Sequence, residues 1–160
     1  MSAQEQRILH PFGPLFTPVS RILILGSFPS VKSREQNFFY GHPQNRFWKL
    51  LAFLYGQNIP ANIEEKRAFL LSNRIALWDV IASCEIQGSS DASISAVTTN
   101  DLSPLLQAAS IEQIFTNGKK ADALYSKYIF PHTQRQTVCL PSTSPANAAW
   151  TFENCAWHGR

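Results

Sequence analysis

Four short apolar runs recur along the chain, and stretches with helical spacing lie between them. Ile22–Leu25 is the first, of a length that suits a strand covered on both faces. We read this strand at 21–25. Ile75-Ala76-Leu77-Trp78 is the second and ends at Asp79. Ile111–Phe115 is the third, with Thr116-Asn117-Gly118 as its exit, and Thr137–Leu140 the fourth, followed by a loop over Pro141–Asn147. Between the runs the apolar period changes. Phe47, Leu50, Leu51 and Leu54 recur at i, i+3, i+4 and i+7, which predicts a helix over 46–55 stopped by Gly56. Residues 62–72 read as a second helix, with Asn62 as N-cap and Glu64 and Glu65 in the first turn, where acidic groups favour the helix dipole. Leu102, Leu105, Leu106 and Ala109 mark a third helix. Ala121, Leu124, Tyr125 and Tyr128 mark a fourth, ended by Pro131, and the tail after Ala148 reads as helical.

Strands that alternate with helices build a parallel sheet covered on both faces. The expected fold class is α/β: a single-domain three-layer α/β/α sandwich over residues 1–160, built on a four-stranded parallel sheet. Residues 1–20, polar and then Pro-rich, read as a lead-in that packs on the domain surface through Phe12, Leu15 and Phe16. Ala82–Thr99 is rich in Ser, Ala and Thr, with Gln87–Asp91 at its centre, and reads as one long functional or disordered loop. In an open α/β sheet, ligands bind just past the carboxyl ends of the strands. The stretch from Arg21 to Trp48 is strand, sharp turn, polar-aromatic loop and helix, so the site is expected there.

Composition narrows the chemistry. With 44% apolar and 16% charged residues the chain is globular, not disordered. A net charge of +3 permits DNA binding without requiring it. Four Trp and 11 Phe provide flat faces for bases, although most of them are expected in the core. Cys84, Cys139 and Cys155 are odd in number and widely spaced, which argues against a metal site, an iron–sulfur cluster or a disulfide framework. No apolar stretch approaches the roughly 18–20 residues of a membrane span, and the N-terminus lacks a signal-type core, so no membrane and a cytoplasmic location are expected. G-x-G-x-x-G, G-K-[ST] and G-x-S-x-G are all absent, which disfavours nucleotide-cofactor and elbow-serine chemistry.

Gly26-Ser27-Phe28-Pro29-Ser30 followed by His42-Pro43-Gln44-Asn45-Arg46-Phe47-Trp48 resembles the two-part signature of the uracil-DNA glycosylase superfamily. The closest branch is that of the DNA-deoxyinosine, or hypoxanthine-DNA, glycosylases. Leu140-Pro141-Ser142-Thr143-Ser144-Pro145 resembles the superfamily's loop for the minor groove. Two positions depart from the wider pattern. Phe28 stands where related branches carry an Asp or Asn for the attacking water, and Leu140 where a His or Asn often begins the second motif.

The resemblance implies a monofunctional DNA glycosylase that removes a deaminated base, most readily hypoxanthine and also uracil, by direct water attack in base excision repair. It implies base flipping into a closed pocket. Asn45 is the candidate for holding the water, and an Asn at a helix start is also an ordinary N-cap. Asp79 stands where relatives place a base-reading Asn; as an acceptor it suits the N1–H of hypoxanthine, or it serves as general base. Ser27, Phe28, Phe39, Tyr40, His42 and Asn117 are candidates for substrate contact, with core packing, a rigid turn or a helix cap as their ordinary roles. Ser30, Arg34, Arg46, Lys119, Lys120, Ser142, Thr143 and Ser144 are candidates for phosphate contact. The expected partner is double-stranded DNA with a deaminated base, bound by a monomer that uses no cofactor. The competing reading keeps the fold and drops the chemistry, leaving a non-catalytic damage-sensing DNA-binding module.

Overall fold

A computed structural model describes residues 6–87 and 93–145. The elements in chain order are β1 (Gln6–Leu9), β2 (Ile22–Gly26), α1 (Val31–Gln36), α2 (Phe47–Tyr55), α3 (Ile63–Ser72), β3 (Ile75–Asp79), β4 (Ile81–Ile86), β5 (Ser95–Thr99), α4 (Ser103–Ala108), β6 (Gln113–Asn117), α5 (Lys119–Leu124), a π-turn (Tyr125–Ile129), α6 (Phe130–Thr133) and β7 (Thr137–Leu140). The four apolar runs form one parallel sheet in the order β3-β2-β6-β7. Its central strand β2 is shielded on both faces, because successive side chains point to opposite sides. Ile24 enters a cluster with Phe47, Leu50 and Leu51 of α2 and Phe69 and Leu70 of α3. Leu23 and Leu25 enter the opposite cluster, with Leu105 of α4 and Ala121 and Leu124 of α5. The expected α/β architecture with a four-stranded parallel sheet is therefore present.

Several local expectations are corrected. Ala82–Thr99 is not one long loop: β4 and β5 pair antiparallel, and β1 joins the other side of β4 to make a second, three-stranded sheet. Register shifts on either side of Ser83 interrupt the β4–β5 ladder, and the buried positions of β4 include Ser83 and Cys84 beside Ile81 and Ile86. A bulged strand with serine in its interior shows no clean two-residue alternation. The lead-in is thus partly a sheet strand. It is also sewn to β3 where Leu15 and Leu77 exchange backbone hydrogen bonds of 3.0 and 2.9 Å. The polar-aromatic loop contains α1, whose N-cap Ser30 accepts from the Ser33 N–H. The third strand begins at Gln113 rather than Ile111. Pro131 does not end the fourth helix. It sits in the first turn of α6, where its missing N–H costs nothing, and the π-turn absorbs the change of pitch. The predicted tail helix after Ala148 and the centre of the 82–99 stretch lie outside the described residues.

Candidate active site

The parallel register aligns the strand exits. Gly26 at the end of β2 lies opposite Asp79 at the end of β3, and Asn117 at the end of β6 lies opposite Leu140 at the end of β7. Leu25 opposite Thr116 puts Gly26 beside Asn117. The ladder between β2 and β3 runs one step further, with the Val80 N–H donating to the Gly26 carbonyl at 2.8 Å. The Asn100 amide donates to the carbonyls of Asp79 and Ile81, pinning the turn from β3 to β4. These backbone bonds fix where the Asp79 side chain emerges.

The Asp79 carboxylate is buried, and its partner comes from the lead-in. His10 Nε2 lies 2.7 Å from Asp79 Oδ2, with 3% and 5% of the two side chains exposed. The Phe12 N–H points at His10 Nδ1 at 3.4 Å, so Nδ1 carries no proton and Nε2–H donates to the carboxylate. Phe12, Phe28 and Trp78 surround the imidazole, with ring centroids 4.6, 5.8 and 5.0 Å away. The other carboxylate oxygen sits over Gly26. A β-carbon there would approach Asp79 Oδ1 to 2.5 Å and the Tyr40 hydroxyl to 3.0 Å. Glycine is required because those two polar atoms occupy the space a side chain would fill.

Tyr40 is held under constraint. Its backbone is left-handed, with φ of 52°, a conformation that costs a non-glycine residue about 1–3 kcal/mol. Its ring stacks on Phe47 at 4.0 Å, and its carbonyl accepts from the Trp48 indole. The hydroxyl is buried, and among the described residues no group meets it with hydrogen-bond geometry. Burial, and then the charge of Asp79, push this phenol far above its ordinary value; the nearby Asn117 amide offsets only part of the rise. Tyr40 therefore stays an O–H donor.

Asn117 is less a helix cap than a strut. Its amide donates to the Thr143 hydroxyl and accepts from the Thr143 N–H, both at 3.0 Å, while Gly118 takes the N-cap position of α5. Thr143 is fully buried, so its hydroxyl is spent inside the fold and does not face a phosphate. Arg46 clamps the same loop. Its N–H donates to the Thr143 carbonyl at 3.1 Å and its guanidinium to the Ser144 carbonyl at 3.2 Å. The Ser142 hydroxyl accepts from the Ser144 N–H. The 141–145 loop is thus shaped by its own hydrogen bonds and lies against the start of α2.

Asn45 Oδ1 accepts from the Phe47 N–H at 2.9 Å, closing a turn that leads into α2, while Arg46 takes the N-cap position. Among the described residues, one lone pair of that oxygen and the amide N–H groups remain for a substrate or water. His42 holds the preceding turn, its carbonyl accepting from the Asn45 N–H and its Nδ1 from the Gln44 N–H. Phe39 is buried in the core against Phe12 and Phe38. Phe28 is half-buried, sandwiched between the His10 ring and the Arg34 guanidinium 5.5 Å from its centroid. Arg34 also donates to the Pro29 carbonyl, and the Ser27 carbonyl accepts from the Ile81 N–H. Lys119 and Lys120 open α5, next to the Asn117–Thr143 clasp. The structure brings Asp79, Tyr40 and Asn117 together around Gly26, and it adds His10, which the sequence reading missed. A histidine between Leu9 and Pro11 in an aperiodic lead-in carries no pattern that marks it.

A parallel sheet with its polar residues gathered at the strand exits, closed by an H-P-Q-N-R-F-W turn and a hydrogen-bonded P-S-T-S loop, defines the class. The chain matches the family model of the uracil DNA glycosylase superfamily over residues 14–159, and it belongs to that superfamily. Among curated relatives it is 37% identical over 130 residues to the hypoxanthine DNA glycosylase of Methanosarcina acetivorans, covering 80% of this chain and 81% of that protein. It is 35% identical over 138 residues to the hypoxanthine DNA glycosylase of Methanosarcina barkeri, covering 85% and 86%. The solution NMR structure of a candidate uracil DNA glycosylase from Methanosarcina acetivorans superposes with a TM-score of 0.75 at 35% identity, over 88% of this chain and 87% of that one.

Proposed function

We propose that the chain hydrolyses the N-glycosidic bond of deoxyinosine in DNA and releases hypoxanthine. That it is a DNA glycosylase rests on its superfamily and on two relatives of that activity aligned over most of its length. The observation that favours hypoxanthine is the buried Asp79 carboxylate, held by His10 at the exit of β3. An ionised carboxylate only accepts. Hypoxanthine presents an N1–H donor where adenine presents a lone pair, so an undamaged adenine would set acceptor against acceptor in a desolvated site. Uracil also carries a ring N–H beside a carbonyl, and a slower uracil activity fits the same acceptor.

Cleavage of this bond builds positive charge on the sugar, as in glycoside hydrolysis. Asn45 is the group we assign to the attacking water: its amide orients the water and its oxygen faces the developing charge. No Schiff base is assigned, so the enzyme is monofunctional. It acts as a monomer on duplex DNA in the cytoplasm, with Lys119, Lys120 and Arg34 toward the phosphates.

The experiment is a single-turnover comparison of duplexes carrying one deoxyinosine, one deoxyuridine or only normal bases, followed by alkali. Strand scission at deoxyinosine, slower scission at deoxyuridine and none at adenine is the expected result. Retention of a lesion duplex without scission would establish instead the damage-sensing module, the reading favoured by Phe28 and Leu140 at motif positions that carry polar groups elsewhere. Asn45→Ala should slow excision by about two orders of magnitude, the effect of removing one positioned polar group. Asp79→Ala should slow deoxyinosine excision and narrow the gap to adenine. An Asp79→Ala enzyme with unchanged rates would remove Asp79 from base selection.

A further inference from the structure

Asp79 can choose a base but cannot help it leave. A base departing as an anion gathers negative charge on its carbonyl oxygen and ring nitrogens, and a carboxylate beside it opposes that charge. The site needs a donor aimed at the same edge. Leu140 does not supply one, and the Asn117 amide is oriented by Thr143, to which it donates one N–H and from which its oxygen accepts. The Tyr40 hydroxyl is a buried donor beside Asp79 that no group among the described residues meets with hydrogen-bond geometry.

We infer that the Tyr40 hydroxyl and Asp79 Oδ1 act as a donor–acceptor pair that reads a carbonyl next to a ring N–H, with Tyr40 as the residue that stabilises the leaving base. The inference rests on the function proposed above and deepens it. Both oxygens close on Gly26, 2.5 and 3.0 Å from where a β-carbon would stand, so they lie together at the exit of β2. His10 occupies Oδ2 and so leaves Oδ1 as the acceptor that faces Tyr40. The pair matches the O6 and N1–H of a 6-oxopurine, and equally the O4 and N3–H of uracil. Adenine sets its N1 lone pair against the carboxylate, and its N6 amine can meet the hydroxyl only if the phenol turns to accept and gives up its donor role.

During the reaction the electron pair of the C1′–N9 bond goes to the purine, and charge spreads onto O6, where the Tyr40 hydrogen bond strengthens. Water adds its oxygen to C1′, and its lost proton ends on the released base. The phenol keeps its own proton throughout, consistent with the upward push from burial and Asp79. The constrained backbone at Tyr40 and the ring stacked on Phe47 fix the hydroxyl's position before a base arrives.

Tyr40→Phe is the discriminating variant, since it keeps the ring on Phe47 and removes only the hydroxyl. Removing a buried hydroxyl that has no partner among the described residues does not lower folding stability, so the thermal midpoint should be unchanged or higher. Single-turnover excision of deoxyinosine should fall by at least about tenfold, the effect of one lost hydrogen bond in a desolvated site. Binding to a duplex that contains 2′-fluoro-2′-deoxyinosine, which resists cleavage, should lose its preference over the matching adenine duplex. Unchanged excision and unchanged binding preference in Tyr40→Phe, with an active wild type, would overturn the inference alone. A wild type that fails to cleave deoxyinosine would overturn the proposed function. The binding preference then still decides the inference: its loss in Tyr40→Phe supports the pair, and its retention refutes it.

Discussion

Gly26 carries the tightest constraint in the site. A methyl group there meets Asp79 Oδ1 at 2.5 Å, and Asp79 cannot swing away without breaking its 2.7 Å bond to His10. Gly26→Ala should therefore slow excision strongly and lower stability by about 1–3 kcal/mol, the usual cost of overpacking, as read from single-turnover rates and a denaturant midpoint. The His10 bond can be separated from the His10 ring. His10→Phe preserves packing against Phe12, Phe28 and Trp78 but leaves Oδ2 without a donor, whereas His10→Gln restores an N–H at similar reach. Excision should fall at least about tenfold in His10→Phe and recover in part in His10→Gln. Equal rates in the two variants would reduce His10 to packing. Tyr40 also makes an alkaline prediction. Its folded value lies above the ordinary 10.0, so its contribution to stability is complete below that pH and is lost as the pH rises beyond it, because only the unfolded chain ionises easily. Tyr40→Phe should flatten the fall of the thermal midpoint above about pH 10, measured against wild type.

At the scale of elements, the site hangs on two short clasps. The Asn45 side chain accepts from the Phe47 N–H in the turn that enters α2, after the His42 turn, so one residue serves both the helix entry and the proposed chemistry. Asn45→Ser separates the roles. A serine hydroxyl accepts from an N–H at a helix entry nearly as well, so stability should hold within a few tenths of a kcal/mol, while excision falls as far as in Asn45→Ala. An Asn45→Ser enzyme that retains wild-type rates would leave Asn45 a turn residue and nothing more. The second clasp joins β6 to the 141–145 loop through Asn117 and Thr143. Asn117→Ala strands a buried N–H and a buried hydroxyl, which should cost about 1–3 kcal/mol in denaturant unfolding.

Across the whole molecule, the candidate site draws on distant stretches: His10 from the lead-in, Tyr40 and Asn45 from the turns before α2, Asp79 from β3, and the Asn117 strut with its loop from β6 and β7. None of them calls for a cofactor, so excision should persist in EDTA; loss of activity on chelation, restored by one metal, would contradict the mechanism. The parallel sheet was legible from sequence because a strand buried on both faces must be a continuous apolar run, as Ile22–Leu25 and Ile75–Leu77 are. The two long helices were legible from the 3.6-residue spacing of Phe47, Leu50, Leu51 and Leu54 and from the Asn62 cap, which accepts from the Glu65 N–H as expected. The motifs pointed to the strand exits as the candidate site, and they drew attention to Asn45 and Asp79. The second sheet was not legible, because β4 is bulged and seats Ser83 and Cys84 among its buried residues, so its pairing with β1 and β5 leaves no periodic trace. The partner of Asp79 was not legible either. The interval between His10 and Asp79 carries no signal, and their contact exists only because Leu15 bridges to Leu77 and the His10 N–H donates to Ala82, drawing the lead-in across the end of β3. Local pattern determined the strands of the parallel sheet and the helices that cover it; long-range backbone pairing decided the second sheet and which polar groups would meet.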